Sequence, residues 1–228
     1  MPPIITQNSW SLRKEIFDYL SKQIEMGSLI PGSLINVRKL TEKLNVSRTP
    51  LREALAQLEI QGLVSILPQR GVLINVLMYE DLLDLFEIIG ALESQVALTV
   101  FDRINSNEVK TMDRYNQAMK QAIKKGRNRN FHETNILFHK VFLDLSTNRE
   151  LTTYVSSLKL RLFGFALKSY RDRFKKAIVA EHDEFIALVK EGNRNSAANY
   201  LKNVHWKFNY PDNFIRPDSV ENNRDANM

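Results

Sequence analysis

The chain has no cysteine. Disulfides, thiolate zinc sites and cysteine nucleophiles are therefore excluded. Histidine is scarce as well, with four in 228 residues. Chemistry that needs imidazole thus rests on very few positions. No apolar run approaches the roughly 18 residues needed to cross a bilayer. The opening MPPIITQNSW lacks the basic-then-apolar order of a secretory signal. A cytoplasmic protein is expected. Internal repeats, low-complexity tracts, phosphate-cradling glycine motifs and serine–histidine nucleophile patterns are all missing.

What is present is positive charge and helical periodicity. The formal charge is +6 and the pI about 9.4, a balance that favours polyanionic partners. Residues 1–77 hold nine Lys/Arg against six Asp/Glu, so positive density is higher there than in the remainder. The chain is 43% hydrophobic and long enough for two domains.

Leu12, Ile16, Leu20 and Ile24, with Phe17, form one stripe of an amphipathic helix over residues 11–27. Asn36 can cap a short second helix that turns Val37, Leu40 and Leu44 inward. Asn45-Val46-Ser47 reads as a turn. A third helix is expected near Thr49-Pro50, with Thr49 as its hydroxyl cap and Leu51, Ala54, Leu55 and Leu58 on its buried arc. Gly62 stops it. Leu63–Leu67 and Val72–Val76 are β-prone runs joined by Pro68-Gln69-Arg70-Gly71, a hairpin signal. Beyond Val76 only helical patterns follow, over residues 79–102, 107–125, 130–145, 149–173, 175–191 and 195–209. The expected organisation is a mainly α protein with a winged helix-turn-helix over residues 1–77. An all-α antiparallel bundle over 78–210 and a disordered tail over 211–228 complete it.

Arg48 and Arg52 lie one turn apart at the front of the third helix, off its apolar arc, with Ser47 and Thr49 as short donors. The N-terminal end of a recognition helix enters the major groove, where arginine pairs bidentately with guanine. Arg38 and the hairpin tip, Gln69, Arg70 and Gly71, would flank it. Lys39 and Lys43 suit phosphates. The run VRKLTEKLNVSRTPLREALAQLEIQGLV closely resembles the winged helix of GntR-family bacterial transcription regulators, over about residues 11–76. That resemblance implies that Arg38, Arg48 and Arg52 are the main DNA-contacting side chains and that the Gln69–Gly71 tip reaches the minor groove. DLFEIIGALESQVA is similar to the opening helix of the helical effector domain of the FadR-like branch, called the FCD domain. That helix usually carries an arginine facing the effector pocket where Ile89 stands here.

His182 and His205 sit equally far on either side of the Gly192–Asn195 break, so in an antiparallel helix pair they lie level. His139 belongs to an earlier helix, with Asn135 one turn before it. Four such groups can converge inside a bundle, and three neutral imidazoles suit zinc or nickel. The FCD resemblance implies the same four positions, with the usual aspartate replaced by Asn135. An amide oxygen is a weaker, neutral donor, so affinity for the ion is lowered. His132 is expected at the surface, and Glu181 is expected to point away from the site. Arg161, inside the apolar run LKLRLFGFAL, and Tyr154, two turns before it, are candidate effector contacts.

The expected function is a ligand-responsive transcription regulator, more commonly a repressor. A homodimer would grip a pseudo-palindromic double-stranded operator and hold a small metabolite in its helical domain. Two alternatives stand beside it: an all-helical metal-dependent hydrolase with an accessory DNA-binding domain, and a ligand-free architectural DNA binder.

Overall fold

The computed structural model describes residues 9–169 and 172–208. The element order is α1 (Ser9–Glu25), β1 (Leu34–Ile35), α2 (Val37–Leu44), α3 (Arg48–Ile60), β2 (Val64–Leu67), β3 (Gly71–Ile74) and α4 (Tyr79–Val100). A 3₁₀ turn (Phe101–Arg103) leads to α5 (Ser106–Lys124), α6 (Asn128–Leu143), α7 (Arg149–Ser169), α8 (Asp172–Lys190) and α9 (Arg194–Tyr200), and α9 runs into a π-helical turn, Leu201–His205. The fold is mainly α, an N-terminal winged helix-turn-helix followed by a C-terminal helical bundle. The expected tail over 211–228 lies outside the described residues.

The chain forms two compact units. The first is Met1–Tyr79 together with Ser157–Phe165 of α7; the second is Glu80–Ser156 with Ala166–Met228. Nothing in the sequence signals that the middle of α7 joins the first unit.

In the first unit the expected stripes become the core. Ile16, Leu20 and Ile24 of α1 meet Leu40 and Leu44 of α2 and Leu51, Ala54, Leu55 and Leu58 of α3. Val64, Val72 and Ile74 close the layer from the sheet, and Leu160 of α7 packs against it. Asn36 caps α2, its side chain accepting from Lys39 N–H at 3.1 Å. Asn45 ends α2 in the left-handed region at φ 53°. One expectation fails here. Helix α3 starts at Arg48, not at Thr49, and its cap is Ser47, whose hydroxyl makes no capping hydrogen bond. Pro50 still lies in the first turn, where its missing N–H costs nothing.

The hairpin gains a strand that the sequence did not signal. The two-residue β1 pairs antiparallel with β3, giving the order β1-β3-β2. Two residues are too few to show a period. Gly71 makes this pairing possible: its φ is +112°, and a Cβ there would stand 2.6 Å from the Ile35 carbonyl oxygen.

In the second unit the apolar faces of α4, α6 and α8 bury Phe86 and Ile89, Phe131, Phe138 and Phe142, and Phe185. Helix α5 packs against α6 and α8. It is fixed by a reciprocal capping box between Asn105 and Glu108, and by Asn116, whose Nδ2 donates to Val179 O at 3.0 Å and Asp183 Oδ1 at 2.7 Å.

Replacing Gly71 with alanine should destabilise the fold by about 1–3 kcal/mol, because the left-handed backbone is strained and the new methyl meets the Ile35 carbonyl. Urea unfolding should show a lower midpoint with an unchanged slope.

Candidate DNA-reading face and buried histidine centre

Arg48, Thr49 and Arg52 are exposed at the front of α3, and Ser47 precedes them, exposed at the cap. Arg38 projects from α2 with its side chain 81% exposed; it meets Glu42 at 3.3 Å, a surface pair of small strength. Gln69 and Arg70 are exposed at the hairpin tip, and Gln69 takes a left-handed φ of 60° to turn it. Gly71 follows, half-buried at the start of β3. The buried arc of α3, fully in the core, leaves its cationic front free of packing duties.

Inside the second unit, His139 on α6, His182 on α8 and His205 in the π turn converge, with their candidate ligand atoms within 4.8 Å of one another. All three are buried. Phe138 stacks on His182 at 3.7 Å between ring centres and fixes its plane. His139 Nδ1 faces Glu93 Oε2 at 2.8 Å, and His205 Nδ1 faces Glu181 Oε2 at 2.9 Å. An ionised carboxylate only accepts, so each Nδ1 donates and each Nε2 keeps a lone pair. These two Nε2 atoms lie 3.3 Å apart. Two lone pairs at that separation need a cation or a shared proton between them. Tetrahedral bonds of about 2.0–2.1 Å would set two ligands roughly 3.3 Å apart, so this spacing fits a metal such as zinc. Asn135 is 4% exposed on α6 one turn before His139, and its Oδ1 is buried with no hydrogen-bond partner. The three imidazoles alone are a donor set that fits a divalent ion.

Two carboxylates at this centre escaped the sequence reading. Glu93 is fully buried and accepts from both His139 and Trp206, whose Nε1 donates at 2.8 Å. Its signal was available: it lies on the same stripe of α4 as Phe86 and Ile89, and an acid on a buried stripe demands donors. Glu181 does not point away from the site as expected, since the π turn carries His205 back to its carboxylate. Carboxylates on the outer nitrogens of ligating histidines orient them and raise their basicity. Gly90 lets α4 approach that turn, because a Cβ there would lie 2.7 Å from Trp206 Cβ.

His132 is not at the surface; it is 3% exposed. It follows the basic loop, but it also lies one turn before Asn135 and two before His139, on the inward face of α6. Burial, then the nearby Lys175 ammonium, lowers its pKa to about 4. Lys175 is itself buried, held by Asn128 Oδ1 at 2.6 Å and Asp172 Oδ1 at 2.9 Å. The two effector candidates do not join the histidines. Tyr154 is 65% exposed, and Arg161 belongs to the first unit, against Gly62. Ile89, at the family's arginine position, is fully buried.

Two family models match the chain: bacterial regulatory proteins of the gntR family over residues 12–74, and the FCD domain over residues 84–204. The HTH-type transcriptional regulator YdhC of Bacillus subtilis is 26% identical over 189 residues, 82% of this chain and 84% of its own. The gluconate operon transcriptional repressor of Bacillus licheniformis is 25% identical over 199 residues, 83% of this chain and 79% of its own. The solved structure of E. coli McbR/YncC matches with a TM-score of 0.70 at 21% identity, covering 84% of this chain and 93% of that one, a likeness of fold. The families and relatives named here are transcription regulators and not enzymes, so the hydrolase alternative falls away.

His132 yields a signed pH prediction. Its folded pKa is depressed, so between pH 6.5 and about 4 the unfolded chain takes a proton that the fold refuses. Stability therefore falls as pH falls through that window. Urea unfolding should show the wild type losing about 3 kcal/mol more than His132→Gln between pH 7 and pH 4, at about 1.4 kcal/mol for each pH unit.

Proposed function

Because the chain belongs to the GntR family of bacterial transcription regulators and carries an FCD domain, we propose that it is a ligand-responsive, cytoplasmic repressor. In this reading residues 1–77 read DNA and residues 78–210 form the effector and dimerisation domain. The observation that carries it is the exposed arginine front of α3, Arg48 and Arg52, standing on a fully buried arc. Arg48 and Arg52 reach base edges in the major groove, helped by Ser47 and Thr49. Arg38 holds the backbone beside them, and Gln69, Arg70 and Gly71 enter the minor groove. A homodimer presents two such heads to a pseudo-palindromic operator.

Asn135, His139, His182 and His205 would hold a divalent ion, zinc or nickel, beside which a small metabolite would bind. When bound, the ion supplies a fixed positive charge to which an electron-rich group of the effector can attach. Glu93 and Glu181 hold the imidazoles in the tautomer that offers Nε2. Ile89 offers no side-chain cation and is itself fully buried.

Two measurements test this reading. Arg52→Ala should abolish preference for a duplex that the wild type selects from a random-sequence pool, with its mass in solution unchanged. Equal weakening on selected and random duplex would make Arg52 a phosphate contact. Glu93→Gln, of equal size, should weaken zinc binding by about 10- to 100-fold in chelator competition while leaving the circular dichroism spectrum intact. Unchanged zinc affinity would remove Glu93 from the centre.

A further inference from the structure

Gly62 is the junction of the reading domain. It ends α3 in a Schellman motif: Gly62 N–H donates to Glu59 O at 2.8 Å, and Leu63 N–H to Leu58 O at 3.0 Å, with Gly62 at φ +71°. Strand β2 begins two residues later. The Gly62 carbonyl accepts from Asn75 Nδ2 at 3.0 Å, and Asn75 follows β3. Glu59, in the last turn of α3, accepts from Ile66 N–H of β2 at 2.6 Å. The recognition helix and both wing strands are therefore tied to one point.

Arg161 of α7 lies on that point. An ideal Cβ on Gly62 would stand 3.2 Å from Arg161 Nε and 3.4 Å from its Cζ. The neighbouring Leu160 packs into the same core. Two buried polar atoms here have no hydrogen-bond partner: Arg161 Nε, a donor, and Gln61 Oε1, an acceptor on the residue that caps α3. Orphaned buried polar groups are costly, and these two are complementary. Arg161 lies against Gly62, the residue that directly follows Gln61.

Resting on the reading above, that this chain is a DNA-binding regulator, we propose that Arg161 is a positioning residue for DNA reading. Its guanidinium and the Gln61 amide form a latch, open in this structure and closed when α3 is seated in the groove. Closing it fixes the C-terminal end of α3, and through Gly62 the wing, in the orientation that suits both grooves. The grip comes from α7, whose residues 149–156 belong to the second unit.

The test is a double-mutant cycle on the full chain. Arg161→Met, Gln61→Met and the double variant are compared for affinity toward a duplex that the wild type recovers from a random-sequence pool, and for melting temperature. Each single change should weaken binding by about tenfold, and the double should be no weaker than either single. Melting temperatures should not fall, because each change removes an orphaned polar atom from the interior. Gln61→Glu, which keeps the acceptor, should retain wild-type affinity although it adds a negative charge. Singles that bind like wild type, or losses that multiply in the double, would overturn the latch, as would weakening that tracks a lowered melting temperature. A wild type that enriches no duplex at all would instead overturn the DNA-binding reading, and the latch with it.

Discussion

A carboxylate with no solvent exposure is the constraint around which the helical unit is arranged. Glu93 sits inside the bundle, and an unpaired buried charge costs several kcal/mol. It is tolerated because two N–H groups converge on one of its oxygens, from the His139 imidazole and the Trp206 indole. Those donors belong to α6 and to the end of the π turn, so satisfying one charge on α4 draws three segments together. The approach is close enough to require a residue without a side chain at position 90. The wider π turn then aims His205 and Trp206 into the interior at adjacent positions, a geometry often found where a helix serves a site.

The same economy of means governs the reading domain. Its recognition helix is anchored by aliphatic side chains on one arc, and the opposite arc is left to cations. Position and orientation come from three backbone devices: the left-handed Asn45 between α2 and α3, the Schellman end at Gly62, and the close β1–β3 contact at Gly71. Rigid placement matters because a bidentate arginine–base contact tolerates little displacement, while contacts to phosphate are forgiving. A head built this way also offers few points through which its orientation can be altered, and Arg161 of α7 lies against one of them, the junction at Gly62.

Much of this was legible in the chain. Residues at spacing three and four located the helices to within a few positions. The hairpin, the Asn36 cap and the stop at Gly62 could be named from residue type, because each depends on its immediate neighbours. The meeting of His182 with His205 followed from counting to a shared turn, since antiparallel helices rise equally per residue. Other features were not legible. Strand β1 is two residues long and exists only because β3 lies beside it. Ser47 displaces Thr49 as the cap because the turn from Asn45 fixes where helical dihedrals can begin. His132 looked exposed beside a basic loop, but its register with Asn135 and His139 carries it inward.

The sequence by itself determined the elements, the buried arcs, the cationic front of α3 and the level placement of His182 and His205, because periodicity, capping and turn chemistry act over a few residues. Only the tertiary structure decided that Glu93 and Glu181 orient those histidines, that Asn135 presents an unpartnered oxygen, and that the middle of α7 joins the reading domain to set Arg161 against Gly62. The reason is that a buried polar group is defined by its partners, and those partners lie tens of residues away along the chain.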